Sequence, residues 1–200
     1  MRISGGTAKG RKVGTRKAFV AKGGSDELRP TAAKVRKAIF DIVGARVLES
    51  RFLDLYAGTG AVGIEALSRG AEHVVFVENN AARVVIIREL IGKFGFAGSA
   101  SVLKTSASLF LGKSSYNSFD IIFVDPPYAS DEIERVLPVI DGSGILAEDG
   151  IVIIEHSSKK TLSLPLTKLR QKKNYRYGDT ALTLYVNSGE KSIPQEGEHS

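Results

Sequence analysis

Short apolar runs alternate with longer segments of helical periodicity between residues 51 and 155. The apolar runs are rich in Val, Ile and Phe, which is typical of strands buried on both faces of a sheet. The predicted strands are residues 52–56, 73–78, 101–105, 119–125 and 150–156. One predicted helix follows the glycine turn at residues 57–60. A second opens with the N-cap residues Asn79 and Asn80, and a third covers residues 132–140. This alternation predicts a parallel sheet with helices on both faces.

The pattern changes near the end of the chain. Residues 166–186 contain two strand-like stretches around a turn at Gly178 and Asp179, with no helix between them. Two strands joined by so short a connection pair in antiparallel fashion. These residues are therefore predicted to form a hairpin at the edge of the sheet.

The basic N-terminal region contains one predicted helix, which follows Pro30. Its apolar face is formed by Val35, Ile39, Ile42 and Val43, and the residues that lie off this face are Lys34, Arg36 and Lys37. Residues 1–24 are rich in Gly, Lys and Arg and are predicted to form a short hairpin or an arm.

Composition places the chain among folded proteins of one domain. Of its 200 residues, 42% are apolar and 25% are charged, close to the averages for globular proteins. No apolar run approaches the roughly 20 residues of a membrane-spanning helix, and the first residues contain no apolar stretch that could act as a secretory signal. We expect a cytoplasmic protein, although an organellar protein of the stroma or matrix without its transit segment would give the same sequence.

Cysteine is absent, and the three histidines are His73, His156 and His199. Without cysteine the chain cannot form disulfides, Cys-ligated metal sites or a thiolate nucleophile. The scattered histidines do not form a pattern of metal ligands, so we expect no metal site. His156 follows a predicted strand, and no catalytic role is assigned to it.

The charge is distributed unevenly along the chain. Residues 1–40 contain eleven Lys or Arg and two acidic residues, a net charge of +9, whereas the whole chain has +6. Residues 41–158 have a net charge of −7 and residues 159–200 one of +4. Basic segments of this density are typical of polyanion-binding surfaces, because neutralised phosphates release counterions. A solvated terminus that only aids solubility would have the same composition.

Residues 58–63 have the pattern G-x-G-x-x-G between a predicted strand and a predicted helix. Glu78 ends the next strand, where a carboxylate can accept hydrogen bonds from both hydroxyls of a ribose. This combination predicts a cofactor that contains adenosine, bound at the carboxyl ends of the strands.

Asp54 precedes the glycines and helps to distinguish between the possible adenosine cofactors. A nicotinamide dinucleotide places its pyrophosphate against the helix N-terminus, where a neighbouring carboxylate would repel it. S-adenosylmethionine carries an ammonium and a sulfonium and has no phosphate. Asp54 therefore favours the methyl donor.

Asp125, Pro126, Pro127 and Tyr128 directly follow an apolar strand. Two consecutive prolines fix the backbone and leave the carbonyls of Asp125 and Pro126 without competing donors. Such acceptors can orient an exocyclic amine of a nucleobase while Tyr128 stacks on its ring. These four residues are the predicted catalytic residues.

Several segments together resemble one family, the RsmD family of bacterial ribosomal RNA guanine-N2 methyltransferases, which modify one guanine of small-subunit rRNA. The segments are residues 1–12, 28–43, 52–71, 74–78, 119–128 and 177–185. The glycine loop and residues 125–128 are common to many methyltransferases, whereas the basic opening and residues 28–31 point to this family.

The resemblance implies a Rossmann-like α/β fold with a seven-stranded, mostly parallel sheet, its last strand antiparallel, and S-adenosylmethionine as the cofactor. It implies that Asp54, Gly58 and Gly60 hold the methionine end, Glu78 the ribose, and Ser106 and Ala107 the adenine edge. Further expected cofactor contacts are Leu55, Ala57, Asn79 and Asp125. It also implies a basic RNA-binding arm and helix over residues 1–45, a methyltransferase domain over residues 46–187 and a disordered tail over residues 188–200.

The implied partner is ribosomal RNA, in the small ribosomal subunit or its assembly intermediate, and the chain is expected to act as a monomer. Arg29 and Thr31 would lie near the site. The candidate phosphate contacts are Arg2, Lys9, Arg11, Lys12, Arg36 and Lys37.

The expected reaction is direct in-line methyl transfer to the 2-amino group of a guanine, without a covalent enzyme intermediate. Three alternatives stay open at this stage: an N6-adenine methyltransferase on DNA or RNA, a nicotinamide oxidoreductase and a non-enzymatic RNA-binding module. The second leaves Asp125 to Tyr128 unexplained, and the third has no need of a cofactor site.

Overall fold

The computed structural model describes residues 2–11, 33–113, 118–127 and 130–187. Its strands are β1 (Arg51–Leu55), β2 (His73–Glu78), β3 (Ala100–Lys104), β4 (Phe119–Val124), β5 (Leu146–Ser157), β6 (Leu169–Tyr177) and β7 (Thr180–Asn187). Its α-helices are α1 (Ala33–Val43), α2 (Ala61–Ser68), α3 (Ala81–Phe94), α4 (Ala107–Lys113) and α5 (Glu132–Ser143). The site predictions outside the described residues concern Lys12, Arg29, Thr31, Tyr128 and the tail.

The seven strands form one sheet in the order β3-β2-β1-β4-β5-β7-β6. The first five strands of the chain pair in parallel, and β7 pairs antiparallel with both β5 and β6. The predicted α/β Rossmann-like class, with its parallel sheet and antiparallel edge hairpin, is confirmed.

Helix α4 has no counterpart among the predicted helices. It has seven residues, and only Ala107, Phe110 and Leu111 are buried. Fewer than two full turns do not give a repeated apolar spacing, so periodicity could not identify this helix.

The two faces of the sheet carry separate apolar clusters. Along β1, Phe52 belongs to the cluster under α1, α2 and α3, and Leu53 to the cluster under α4 and α5. The same alternation holds along β4, where Phe123 lies in the first cluster and Val124 in the second. We call these the α1 face and the α5 face. Among the described residues, no helix combines the length and apolar content needed to cross a bilayer.

Residues 2–11 pack against the α1 face and α2. Ile3 and Ala8 are buried in the same cluster as α1 and the strands. The segment folds back on itself, with Ile3 N–H donating to Arg11 O (3.2 Å) and Gly10 N–H donating to Ile3 O (3.0 Å). Residues 2–11 thus form a turn that shares one core with the rest of the chain, and residues 12–24 of the predicted hairpin or arm lie outside the described residues.

Arg36, one of the candidate phosphate contacts, is buried between α1 and its neighbours, which does not suit that role. Its side chain is buried, its Nη2 donates to Arg2 O (2.9 Å), and its Nε lies 3.6 Å from Glu65 Oε2. Burial lowers the pKa of Arg36 from its ordinary value, and the neighbouring Glu65 opposes that shift. Helical periodicity identifies the side of α1 that faces the sheet, but it does not show that residues 2–11 cover another side. Arg36 therefore does not present its charge to RNA phosphate.

Candidate active site

Three carboxylates lie along the carboxyl edge of β1, β4 and β5. Asp54 is in β1, Asp125 directly follows β4, and Glu155 is near the end of β5. Phe123 pairs with both Asp54 and Ile153, so Asp125 and Glu155 each lie two residues further along adjacent strands. Because side chains alternate along a strand, all three carboxylates extend toward the α1 face. We call Asp54, Asp125 and Glu155 the carboxylate row.

Asp54 links β1 to the first turn of α2. Its Oδ2 accepts a hydrogen bond from Gly63 N–H (2.9 Å), and only 2% of the residue is exposed. Burial raises the pKa of Asp54 to about 7; the Gly63 N–H opposes this shift, and the charge of Glu78 adds to it. Asp54 is therefore a buried acid for which a bound cation would favour the ionised form.

Asp125 and Glu155 influence each other electrostatically. Burial raises the pKa of Asp125 well above its ordinary value, and the charges of Glu155 and then Asp54 raise it further. Sequence reasoning missed Glu155, which is 5% exposed. The available signal was its position near the end of an apolar strand, comparable to that of Asp125 directly after β4.

Glu78 fixes the glycine loop to the end of β2. Its Oε2 accepts from Gly58 N–H (2.8 Å) and its Oε1 from Asn80 N–H (2.8 Å), while Arg83 Nη1 lies 3.8 Å from Oε1. A carboxylate oxygen has two lone pairs, so each oxygen keeps one that can accept a ribose hydroxyl. This geometry is compatible with the predicted role of Glu78.

Two glycines allow the loop to pass from β1 into α2. Gly60 has a φ of 71°, in the left-handed region that glycine adopts without strain. At Gly63, a Cβ would lie 2.3 Å from the ring of Phe76, so only glycine lets α2 pack this closely on the sheet.

Several hydrogen-bond donors of the loop are already used within the protein. Ala57 N–H donates to Val77 O and Gly60 N–H to Ala57 O, in addition to the Gly58 bond with Glu78. A pyrophosphate needs such N–H groups for itself. The loop with its neighbouring carboxylates therefore fits a cofactor that has a cationic end and no phosphate. S-adenosylmethionine meets both requirements, because its ammonium can donate to carboxylate acceptors.

The remaining predicted cofactor residues lie at the same edge of the sheet in different environments. Leu55 buries its side chain in the α5 face, and Ala57 is also buried. Asn79 is exposed, and Asn80 alone caps α3, accepting from Ala82 N–H and Arg83 N–H. Ser106 Oγ accepts from Leu109 N–H at the start of α4 (3.3 Å), and Ala107 is buried.

Residues 125–127 continue from β4 beside the end of β1. Asp125 N–H donates to Leu55 O (3.4 Å), which brings the catalytic candidate next to the glycine turn. Pro127 O already accepts from Ser130 N–H (3.1 Å) and Ser130 Oγ (2.7 Å). Pro126 and Pro127 line a small cleft together with Ser130, Ile133, Glu155, His156, Ser157 and Lys160.

Tyr56 and His156 connect elements around this edge. Tyr56 Oη donates to Glu132 Oε2 (2.6 Å), which joins the glycine turn to α5. His156 is buried, with Nε2 2.7 Å from Thr183 Oγ1 and Nδ1 2.8 Å from Ser157 O. Burial lowers the pKa of His156, so these contacts describe a neutral structural ring.

The predicted RNA contacts within the described residues do not cluster at the carboxylate row. Arg2, Lys9 and Arg11 are exposed, and Lys37 is exposed in an ion pair with Asp41 (2.6 Å). Lys9 belongs to a turn that packs beside Ser68, at the end of α2 opposite the glycine loop. Within the described ranges, no group of three or more His, Asp or Glu side chains is arranged to hold a metal ion.

Comparison with known proteins supports this architecture. The family model described as "Conserved hypothetical protein 95" matches residues 1–186. The chain is 32% identical to "Putative rRNA methyltransferase YlbH" of Bacillus subtilis (strain 168) over 191 residues, covering 94% of this chain and 100% of that protein.

Two further proteins show the same likeness. The chain is 32% identical to "Ribosomal RNA small subunit methyltransferase D" of Escherichia coli (strain K12), covering 78% of this chain and 74% of that protein. The solved structure of "Putative methyltransferase yhhF from Escherichia coli" aligns with a TM-score of 0.80 at 28% identity, covering 95% of this chain and 99% of that one.

Proposed function

The chain belongs to the family described as conserved hypothetical protein 95, the RsmD family of ribosomal RNA methyltransferases, and on that premise we propose its reaction. It transfers a methyl group from S-adenosylmethionine directly to the exocyclic 2-amino group of a guanine in small-subunit ribosomal RNA. The observation that carries this proposal is the position of Asp125. A proline-rich turn holds this buried carboxylate beside the glycine loop.

The proposed cofactor is S-adenosylmethionine, which supplies an electrophilic methyl group on a sulfonium. Glu78 would hold its ribose, and Asp54 with Gly58 and Gly60 would hold the methionine end. Ser106 and Ala107 would border the adenine. The internally bonded glycine loop supports this assignment, because it leaves few donors for a phosphate.

Asp125 and the carbonyl of Pro126 serve as the acceptors for the target amine. The lone pair of a guanine 2-amino group is delocalised into the ring, so the group is a weak nucleophile and depends on orientation. Hydrogen bonds from its two N–H groups to these acceptors direct the nitrogen lone pair away from them. The raised pKa of Asp125 suits a carboxylate that accepts a proton as the amine acquires its methyl group.

The target base must leave its stack to reach a buried carboxylate at the edge of a sheet. Tyr128 would stack on the extruded ring. Arg29, Thr31, Lys37 and the exposed arm residues Arg2, Lys9, Arg11 and Lys12 are the proposed contacts to the surrounding RNA. The proposed substrate is the small ribosomal subunit or its assembly intermediate, bound by a monomer in the cytoplasm.

The test is to incubate the protein with labelled S-adenosylmethionine and small ribosomal subunits isolated from cells that lack this activity. Nuclease digestion and mass spectrometry then identify the modified nucleoside and its position. We expect label on N2 of one guanosine. Label on N6 of adenosine would establish the alternative adenine methyltransferase, and no incorporation with any subunit or assembly intermediate would overturn the proposal.

A further inference from the structure

The edge strand β6 is the most basic exposed element of the described C-terminal region. Of its nine residues, only Leu169 is buried, and four are cationic. The cations are Arg170, Lys172, Lys173 and Arg176, and two aromatic residues, Tyr175 and Tyr177, follow in the same strand. Residues 159–200 have a net charge of +4, and the proposed function gives β6 no role.

The pairing with β7 determines which β6 side chains share a face with the carboxylate row. Tyr175 pairs with Leu182, which pairs in turn with Glu155. Directly opposed residues in antiparallel strands extend to the same face, so Tyr175 lies on the α1 face. The rings of Tyr175 and Tyr177 pack against that apolar cluster and are partly buried. Three strand spacings, about 15 Å, separate β6 from β4 and its catalytic end.

Four side chains follow one another along this side of β6. Lys173 pairs with Leu184 and Arg170 with Val186, both residues of the α1 face, whereas Arg176 pairs with Ala181 on the opposite side. Tyr177, Tyr175, Lys173 and Arg170 therefore form a continuous line from the carboxyl edge of the sheet downward. We call these four residues the β6 track.

The cations of the track are available to an external anion. In the described part of the chain neither Arg170 nor Lys173 forms an ion pair, and both are exposed. Lys173 Nζ lies 4.9 Å from the centroid of the Tyr175 ring, so charge and aromatic surface occur together. Lysines alone can serve to block pairing at a sheet edge. The aromatic rings on the same side as Asp125 are not needed for that purpose.

We propose that the β6 track binds single-stranded RNA next to the target nucleotide. This inference rests on the proposed function. Tyr175 and Tyr177 stack on unpaired bases that follow the extruded guanine, and Lys173 and Arg170 contact successive phosphates further along the strand. Aromatic side chains interleaved with cations are the usual composition of such a surface. The RNA would thus contact the protein on both sides of the carboxylate row, with the N-terminal region on one side and β6 on the other.

The charge test uses Arg176 as a matched control, because it is an exposed cation on the same strand but on the opposite side. Binding of deproteinated small-subunit ribosomal RNA is measured for the full-length variants Lys173→Ala, Arg170→Ala and Arg176→Ala. We expect several-fold weaker binding for the first two and little change for the third. The double variant Arg170→Ala with Lys173→Ala should also reduce the slope of log affinity against log salt by about 2.

The stacking test compares Tyr175→Ala with Tyr175→Phe. We expect the KM for small subunits to rise about tenfold in the alanine variant and to be restored by phenylalanine, which keeps the aromatic face. Affinity for S-adenosylmethionine, measured by calorimetry, should be unchanged and serves as the folding control.

Three outcomes would overturn the inference: unchanged RNA affinity in the Arg170 and Lys173 variants, an equal loss in Arg176→Ala, or no rescue by Tyr175→Phe. The two proposals can fail separately. If the protein methylates no guanine but its RNA affinity still depends on Arg170 and Lys173, the proposed function is wrong and the RNA-binding role of the β6 track stands.

Discussion

The two halves of the sheet each place a buried carboxylate where a strand ends, yet the carboxylates have different surroundings. Glu78, after the apolar residues of β2, receives backbone N–H donors from Gly58 and Asn80. Asp125, after the apolar residues of β4, is followed by Pro126 and Pro127. Proline has no N–H, so the residues that follow Asp125 cannot solvate it as Asn80 solvates Glu78.

The same sequence pattern, a carboxylate after an apolar strand, can therefore give either a fixed hydrogen-bond acceptor or a proton acceptor. A carboxylate whose oxygens are held by backbone donors is a fixed acceptor, suited to bind a ligand in one orientation. A buried carboxylate beside other acidic groups has a raised pKa and can accept a proton. The residues after each strand decide between these outcomes. The proposed cofactor half and the proposed substrate half should therefore respond differently to substitution.

The largest expected effect comes from Asp125→Ala. Loss of the acceptor should lower kcat by about 10²- to 10³-fold, because the weak amine is no longer oriented. The affinity for S-adenosylmethionine, measured by calorimetry, should stay measurable. Asp125→Asn keeps an acceptor oxygen and should retain more activity than the alanine variant. Near-normal turnover of Asp125→Ala would remove Asp125 from the mechanism.

Substitution in the other half, Glu78→Gln, should act on cofactor binding. One amide nitrogen would then face a backbone N–H of Gly58 or Asn80, which leaves a buried donor unsatisfied. We expect affinity for S-adenosylmethionine to fall about 10- to 100-fold, with kcat at saturating cofactor largely retained. Glu72→Gln, at an exposed position before β2, is the control. A loss in kcat comparable to that of Asp125→Ala would erase the distinction between the two halves.

Asp54 should make cofactor affinity depend on pH. Its pKa is raised to about 7 in the free protein, so below pH 7 a bound ammonium must displace a proton. Affinity for S-adenosylmethionine should then fall as the pH decreases from 7 to 5.5, by up to about tenfold per unit. Calorimetry in two buffers of different ionisation enthalpy would detect the released proton. A flat profile, or one that persists in Asp54→Asn, would contradict this assignment.

The smallest expected effect is a shift of the pH profile in Glu155→Gln. The charge of Glu155 raises the pKa of Asp125, so its removal lowers that pKa. If Asp125 acts as a proton acceptor, the acidic limb of the kcat profile should move to lower pH. Glu148→Gln, at an exposed position in the same strand, should leave the profile in place. A shift to higher pH in Glu155→Gln would have the wrong sign for this electrostatic role.

Local sequence signals predicted much of the fold and part of the site. Strands with apolar runs, the hairpin around Gly178 and Asp179, and the placement of Asp54 and Asp125 at strand ends all follow from periodicity and turn chemistry. Glu155 was missed because its importance arises from the pairing of β5 with β4, which brings it beside Asp125 from 30 residues further along the chain. The burial of Arg36 depends on its ion pair with Glu65, and no local sequence pattern predicts a partner 29 residues away.

Glu65 also constrains the order in which the chain can fold. This buried carboxylate accepts hydrogen bonds from Ser4 N–H and Ser4 Oγ, 61 residues away, and pairs with Arg36 and Arg69. During synthesis the N-terminal segment emerges first, but its anchor exists only after α2 has been made. The segment therefore cannot form these contacts until the glycine loop and α2 are present. Contacts between residues so far apart in sequence slow folding. Docking of residues 2–11 is accordingly expected to follow the formation of α2.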